Sequence, residues 1–311
     1  MSFNSSLLLD IEAADVNVRY DESIKQLLAN KEILAWIMKY CVDEFKDYAI
    51  SDIIPCIEKD ADVANRRVEP GLSNKIIGDT NENPVPNEGK IAYDVIFHAK
   101  TKDDNGVEVI INVEAQNNYY PGYDLETRGV FYCARMLSAQ ANREFSLAGR
   151  EYKKLKKVYS IWICTNSPDH LANTISSYEM THKVVYGSED IRTGRYDLLE
   201  VAMIRLKEGV DNGNELHRML NVLLSSDTPV GEKERRLQDE FSIEMTEEFR
   251  TEVENVCNLS LGVEQKGAIE MLVRIVSDKM ESTKCSFEEA IKDLPISASE
   301  KEQVKERLGI E

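Results

Sequence analysis

No apolar run in this chain approaches the roughly 20 residues that a membrane-crossing helix requires, and no two of its cysteines form a CxxC pair. The cysteines stand at 41, 56, 133, 164, 257 and 285, without metal-ligand spacing. Histidine is scarce: His98, His170, His182 and His217 are isolated from one another and from cysteine, which argues against a zinc centre. His217 reads as a helix-surface residue. Cations are outnumbered, 38 Lys and Arg against 56 Asp and Glu, for a net charge of −18. Such a balance excludes broad, non-specific nucleic-acid binding by the whole surface and leaves room only for a local basic groove. The opening residues, MSFNSSLLLDIEAAD, lack the basic stretch and apolar core of a secretory leader. The expectation is a cytoplasmic protein with reduced thiols and no membrane anchor.

What is present suffices for a sizeable core. With 311 residues, 42% hydrophobic and 30% charged, the chain can form one large domain or two. Its most informative stretch is Ile91 to Gln116: IAYDVIFHAK, the charged turn TKDDNG, then VEVIINVEAQ. The turn ends in Asn105-Gly106, a strong hairpin signal because glycine tolerates positive φ. Strand side chains alternate, so Asn112, Glu114 and Gln116 share one face. Pairing through the turn sets residues near Asp94 opposite residues near 113. Asp94, Glu114 and Gln116 thus converge at one end of the hairpin, a set of hard oxygen ligands suited to Mg²⁺ or Mn²⁺. The competing reading is the solvated face of an ordinary antiparallel strand. The apolar run VIINVEAQ favours the metal, because a charge at the end of a buried run needs a partner.

Along the chain, residues 1–20 read as a polar arm. From Asp21 a helical period begins, with Ile24, Leu27, Leu28, Ile33, Leu34, Ile37, Met38, Cys41 and Phe45, as one helix or as two broken near Asn30. Glu44 reads as a surface acid. Ser51 to Glu58 contains Pro55 and reads as a connector or edge strand, and residues 60–90, rich in Asn, Asp, Pro and Gly, as a long loop. After the Pro121-Gly122 turn a long helix is predicted. Arg128, Tyr132 and Arg135 share one side of it and could hold a phosphate beside the acids, or be an ordinary surface face. The segment 143–157 sets Arg143, Arg150, Lys153, Lys154, Lys156 and Lys157 against only Glu144 and Glu151, so it is either a backbone-phosphate contact or a solvated basic turn. VYSIWICT reads as a buried strand, residues 167–196 as irregular, Asp197 to Leu206 as a strand and 215–226 as a helix. Helices, a hairpin and a buried strand together predict an α/β fold with a mixed sheet.

Beyond Thr228 the sequence is charged and helical, with capping-box patterns at Ser286 with Glu289 and Ser299 with Glu302. Its apolar stripes must be covered by the main domain or by a second subunit, which makes a homo-oligomer a candidate assembly. The organisation expected is an arm at 1–20, a core domain at 21–227 and an all-helical region at 228–311.

Asp94, Glu114-Ala115-Gln116 and the flanking IINVEAQNNYYPGYDLETRGVFYCARMLSAQ resemble the PD-(D/E)XK nuclease family transposases, relatives of the recombination-promoting nucleases. The similarity extends to KVYSIWICTNSP and GVEQKGAIEML and covers about residues 20–275. The resemblance implies a restriction-endonuclease-like core, a mixed central sheet flanked by helices, and Mg²⁺-dependent (or Mn²⁺-dependent) hydrolysis of DNA linked to recombination or mobile elements. It makes Asp94 and Glu114 the metal-binding acids, adds the Ala115 carbonyl as a ligand, and matches Glu44 to an acid that some members contribute from the first helix. Gln116 stands where the wider superfamily has Lys; a neutral amide orients water but cannot supply charge. Arg128, Tyr132 and the lysines at 153, 154, 156 and 157 would steer DNA. No helix-turn-helix or zinc module for reading a sequence is evident. A second reading is a catalytically weak interaction protein on the same core; a third takes RNA as substrate.

Overall fold

The computed structural model describes residues 20, 22–57, 82–85, 89–92, 94–103, 106–117, 119–141, 143–144, 146, 148–187, 195–211, 213–225 and 227–310. The predicted arm and most of the predicted 60–90 loop lie outside these residues. Two compact units result, one spanning Ile24–Arg250 and one that includes Thr251–Glu311.

The first unit is built on a five-stranded mixed sheet. Strands β1 (Glu82–Val85) and β2 (Gly89–Ala92) form a separate antiparallel pair, so part of the predicted loop is a ribbon, and the first strand of the predicted hairpin is divided at Asp94. β3 (Val95–Lys100) and β4 (Glu108–Gln116) are the hairpin itself, registered from Val95 opposite Val113 to Lys100 opposite Glu108. Its turn includes Gly106 at φ +51, a conformation that glycine adopts without steric cost. β5 (Lys157–Cys164) lies parallel to β4 and is buried along its whole length, as expected of its unbroken apolar run. β7 (Leu199–Arg205) continues in parallel, and β6 (Thr174–Glu179) closes the edge antiparallel to it, giving the order β3-β4-β5-β7-β6.

β6 falls in a stretch predicted to be irregular. Its sequence TISSYE is polar and largely exposed, because an edge strand has one free flank and little to bury. Residues 51–57 are a connector rather than an edge strand. They form a helical turn, α2 (Ile50–Ile53), continued as a 3-10 turn at Ile54–Cys56, and Ile57 then bridges Ala99. Pro55 fits there because the first turn of a helix needs no N–H from it.

One sheet face carries Ile96, Ile110, Val158, Trp162, Cys164, Val201 and Met203. Against it packs α3 (Leu125–Ala139) through Leu125, Tyr132, Cys133 and Met136. The helices nearer the N-terminus break at Asn30, whose side chain accepts from the N–H of Glu32 (2.9 Å) and Ile33 (3.4 Å) and so caps α1 (Lys31–Cys41). Just past α1, Glu44 accepts from the Tyr159 hydroxyl at 2.6 Å; Tyr159 points from the sheet face opposite Trp162, since β5 alternates. α4 (Glu215–Leu224) buries Leu216, Met219, Leu220 and Leu223, and His217 with them at 3% exposure, a correction to its expected surface position. α5 (Val230–Phe241) follows.

In the second unit, α6 (Glu247–Thr283) carries Ile269 and Val276 into a cluster with Phe287, Ala290 and Ile291 of α7 (Phe287–Ile291) and Val304 of α8 (Ala298–Arg307). These stripes therefore cover one another. Ser286 and Glu289 form the capping box expected. The next helix is capped by Ser297 with Glu300, two residues earlier than Ser299 with Glu302. Both pairs fit the pattern in SASEKE, and the earlier serine captures the helix start.

Candidate metal and phosphate site

The bend at Asp94 brings the hairpin's acids together. Because β3 begins at Val95 opposite Val113, Asp94 falls beside Glu114, and the Asp94 N–H donates to Glu114 Oε1 at 3.0 Å. In return Asp94 Oδ2 accepts from the Ala115 N–H at 3.0 Å. This reciprocal pair fixes both carboxylates with backbone donors. The other Asp94 oxygen, Oδ1, is 2.8 Å from Lys25 Nζ, on the helical stretch 22–28.

Glu114 is 4% exposed. Burial, and then the Asp94 charge beside it, push its carboxyl well above the ordinary carboxylate range, to about 8; hydrogen bonds from the Asp94 N–H and Asn112 and the charge of Arg128 pull the other way. A buried acid held against a second acid is a poor arrangement for folding alone and a good one for a divalent cation. The donor set fits a hard metal ion, with two carboxylates converging and one ammonium already on Asp94 as a resident cation.

Gln116 projects from the same strand face two residues on, half-buried, and its backbone carbonyl accepts from the Thr165 N–H at 3.1 Å. Arg128 and Tyr132 come from the first half of α3. The guanidinium donates from Nε to the Tyr132 hydroxyl at 3.1 Å and also bonds the Tyr123 hydroxyl, with its carbon 5.2 Å from the centroid of Trp162. Trp162 is the cross-strand neighbour of Glu114. Asp94, Glu114, Gln116, Arg128 and Tyr132 therefore gather at one end of one sheet face.

Glu44 and the basic run do not join them. Glu44 meets Tyr159, three positions back along β5 and on the opposite face from Trp162. Lys157 is buried and paired with Glu200 at 3.0 Å, its Nζ also 4.7 Å from the Tyr159 ring centroid. Lys156 is held by Glu144 (2.7 Å) and Glu108 (3.0 Å), and Lys154 by Glu151 (2.7 Å); Lys153 is exposed. Lys154, Lys156 and Lys157 line a groove of about 750 Å³ together with Glu44, Glu108 and Glu144, so its charge is mixed. Asp43, Glu179 and Glu200 also bring carboxylate oxygens within 4.8 Å of one another, and Lys157 already supplies the cation there.

Two features of the site escaped the sequence reading. Lys25 lies on a helix whose Ile24, Leu27 and Leu28 are buried, and nothing in that periodicity separates it from any surface lysine. Arg205, 3% exposed at the end of β7, donates to Tyr119 (3.0 Å), Ser176 (2.9 Å), Glu126 (3.0 Å) and Tyr178 (3.3 Å). It ties the loop after Gln116 to the start of α3, a role visible only once the strands are in place.

A family model described as PD-(D/E)XK nuclease family transposase matches residues 79–256, which include every residue gathered at this site except Lys25. No curated protein and no solved structure matches the chain. Among the described residues no helix is long and apolar enough to cross a membrane.

Proposed function

The chain belongs to the PD-(D/E)XK nuclease family transposases, and from that premise we propose that it is a divalent-metal-dependent nuclease that hydrolyses phosphodiester bonds of DNA at the Asp94–Glu114 end of the hairpin. The observation that carries this reading is the reciprocal hydrogen bonding of Asp94 with Glu114 and Ala115, which holds two acids together in a buried corner. Asp94 and Glu114, with the Ala115 carbonyl, would hold Mg²⁺ or Mn²⁺. Bound there, the ion lowers the pKa of a water and offsets phosphate charge.

The chain's own groups complete the chemistry. Gln116, on the same strand face, accepts and donates hydrogen bonds to orient the attacking water. Arg128 is held by the Tyr132 and Tyr123 hydroxyls and lies against Trp162 on the Glu114 side, where its fixed positive charge would attract a phosphate. The water oxygen forms a bond to phosphorus as one ester P–O bond breaks; the water's proton passes to solvent and the departing oxygen takes one up. Of the lysines in the basic run, Lys153 and Lys154 lie at the surface at the far end of the sheet and would meet a DNA backbone, Lys154 by exchanging its exposed partner Glu151 for a phosphate, whereas Lys156 and Lys157 are committed to less exposed carboxylates.

The test is nicking of supercoiled plasmid with Mg²⁺ or Mn²⁺, run beside an RNA substrate. Cleavage that vanishes in an Asp94→Ala, Glu114→Ala double variant supports the reading. Persistent cleavage by that purified variant, or none by the wild type, ends it.

A further inference from the structure

Resting on the nuclease reading, we propose that Lys25 is the catalytic ammonium of this site, contacting the scissile phosphate and supplying the positive charge that Gln116 cannot. Phosphodiester hydrolysis places growing negative charge on phosphate oxygens, and a preorganised cation aimed there contributes about a hundredfold or more in rate. On the hairpin itself no side chain beside Asp94 and Glu114 provides one, since Gln116 is neutral. Among the described residues, two cations reach the site. Arg128 is committed to the hydroxyls of Tyr132 and Tyr123 and lies across Trp162, so its fork is fixed on the Glu114 side. Lys25 is the other, with Nζ 2.8 Å from Asp94 Oδ1, on the oxygen that the Ala115 N–H does not use.

The backbone behind Lys25 is anchored and its side chain is partly exposed to solvent. Ile24 is 4% exposed and Leu27 and Leu28 are fully buried, so the helix is pinned to the core of the first unit. The Lys25 side chain is 40% exposed, against 13% for Asp94. A four-carbon stem with three rotatable donors can leave Asp94 for a neighbouring phosphate oxygen by a change of rotamer, as a guanidinium locked between rings cannot. With Asp94 serving as a metal ligand, the Lys25 ammonium would turn to a phosphate oxygen of the substrate. Lys25 acts here as a fixed charge and donor, and gives or takes no net proton. It lies outside the residues that the family model matches, so family membership assigns it nothing.

The experiment compares wild type, Lys25→Met, Lys25→Gln, Gln116→Lys and the double variant Lys25→Met, Gln116→Lys in two measurements: Mn²⁺ affinity by calorimetry, and plasmid nicking at saturating Mn²⁺. Removing a competing cation should leave Mn²⁺ affinity unchanged or tighter in Lys25→Met. Nicking should fall by about a hundredfold or more, and Gln116→Lys in that background should recover much of the loss by returning an ammonium to the strand. Nicking by Lys25→Met at the wild-type rate would make the lysine a simple counter-ion and overturn the proposal. Lost Mn²⁺ binding in both Lys25→Met and Lys25→Gln would make it a builder of the site, and also overturn it. A wild type that binds Mn²⁺ yet never nicks removes the nuclease reading itself, an outcome distinct from either.

Discussion

Asp94 and Glu114 are joined through the backbone before any cation arrives: the Asp94 N–H donates to Glu114 Oε1, and Asp94 in turn accepts from the residue after Glu114. The tie sets the two charges against each other in a buried corner, which opposes folding and favours metal binding. With its carboxyl pushed up to about 8, Glu114 is mostly protonated at pH 7 in the fold and ionised in the unfolded chain, a difference that opposes folding. Glu114→Gln keeps an acceptor for the Asp94 N–H and removes that cost. It should raise the melting temperature of the metal-free protein at neutral pH by several degrees, at roughly 2–4 °C per kcal/mol for a domain of this size. The same variant should lose most of the Mn²⁺-induced thermal shift of the wild type, because stabilisation by a ligand requires the site. A metal-free melting temperature below wild type would contradict the strained-pair account.

Gly129 decides how closely α3 approaches the sheet. A Cβ there would lie 2.5 Å from Val201 Cγ1 and 3.1 Å from Trp162 Nε1. By helix propensity alone Gly129→Ala should stabilise by about 1 kcal/mol. Overpacking costs about 1–3 kcal/mol and acts where neighbours cannot yield. Val201 is fully buried, so packing wins and the variant should melt several degrees lower. Because Arg128 precedes Gly129 and Tyr132 follows one turn on, nicking should fall while Mn²⁺ affinity holds. A more stable Gly129→Ala protein would mean that the helix can shift freely.

Lys157 reads in sequence as part of a phosphate-binding run, and in the fold it is the counter-ion of Glu200, each side chain 7% exposed. Asp43 and Glu179 lie in the same acidic group. Lys157→Met therefore strands a buried carboxylate, at a cost of about 3–5 kcal/mol. Adding Glu200→Leu should return much of that stability, as denaturant unfolding can measure. DNA affinity of the refolded double variant, and its dependence on salt, should match wild type; a shallower salt slope would restore the lysine to the DNA interface.

The hairpin, its turn and the convergence of Asp94 with Glu114 were legible because two-residue alternation and a glycine turn are local signals. β5 was legible as an unbroken apolar run. What stayed hidden depends on partners distant in sequence. β6 is a strand because β7 offers it a ladder, which its polar TISSYE does not announce. Lys25 belongs to the site because a helix anchored by Leu27 and Leu28 happens to face Asp94, 69 positions along the chain. Lys156 and Lys157 read as free cations because their carboxylate partners at 108, 144 and 200 are not their neighbours in sequence. Ser297 and Ser299 offered equal capping patterns, and only the path of the chain chose between them.

His217 supplies a pH test away from the carboxylates. It is buried on α4, and burial pushes its pKa below the ordinary 6.5, against the opposing hydrogen bond to the Thr174 backbone. With the folded value depressed, the unfolded chain binds more protons as pH falls below 6.5, so stability drops through that window and levels off below the folded value. His217→Gln keeps a donor and cannot titrate. Its melting temperature, relative to wild type, should rise between pH 7.5 and pH 5.5. A difference that does not change with pH would show that the imidazole stays accessible to protons in the fold.

Arg205 holds the frame on which Arg128 is mounted. Its buried guanidinium spans Tyr119 after β4, Ser176 and Tyr178 on β6, and Glu126 in the first turn of α3. A planar fork of five donors can serve four acceptors in separate directions, and a lysine ammonium cannot. Arg205→Lys keeps the charge and should still lose about 1–3 kcal/mol, the usual penalty of unpaired buried polar groups. The loss should be local: amide hydrogen exchange should accelerate across residues 119–129 and remain slow in β4 and β5, which their ladder protects. Nicking should weaken with it, because Arg128 stands one helical turn from the freed end, while Mn²⁺ affinity, proposed to rest on Asp94 and Glu114, should not move. Uniform acceleration across the sheet would instead make Arg205 a general core residue with no particular claim on the helix.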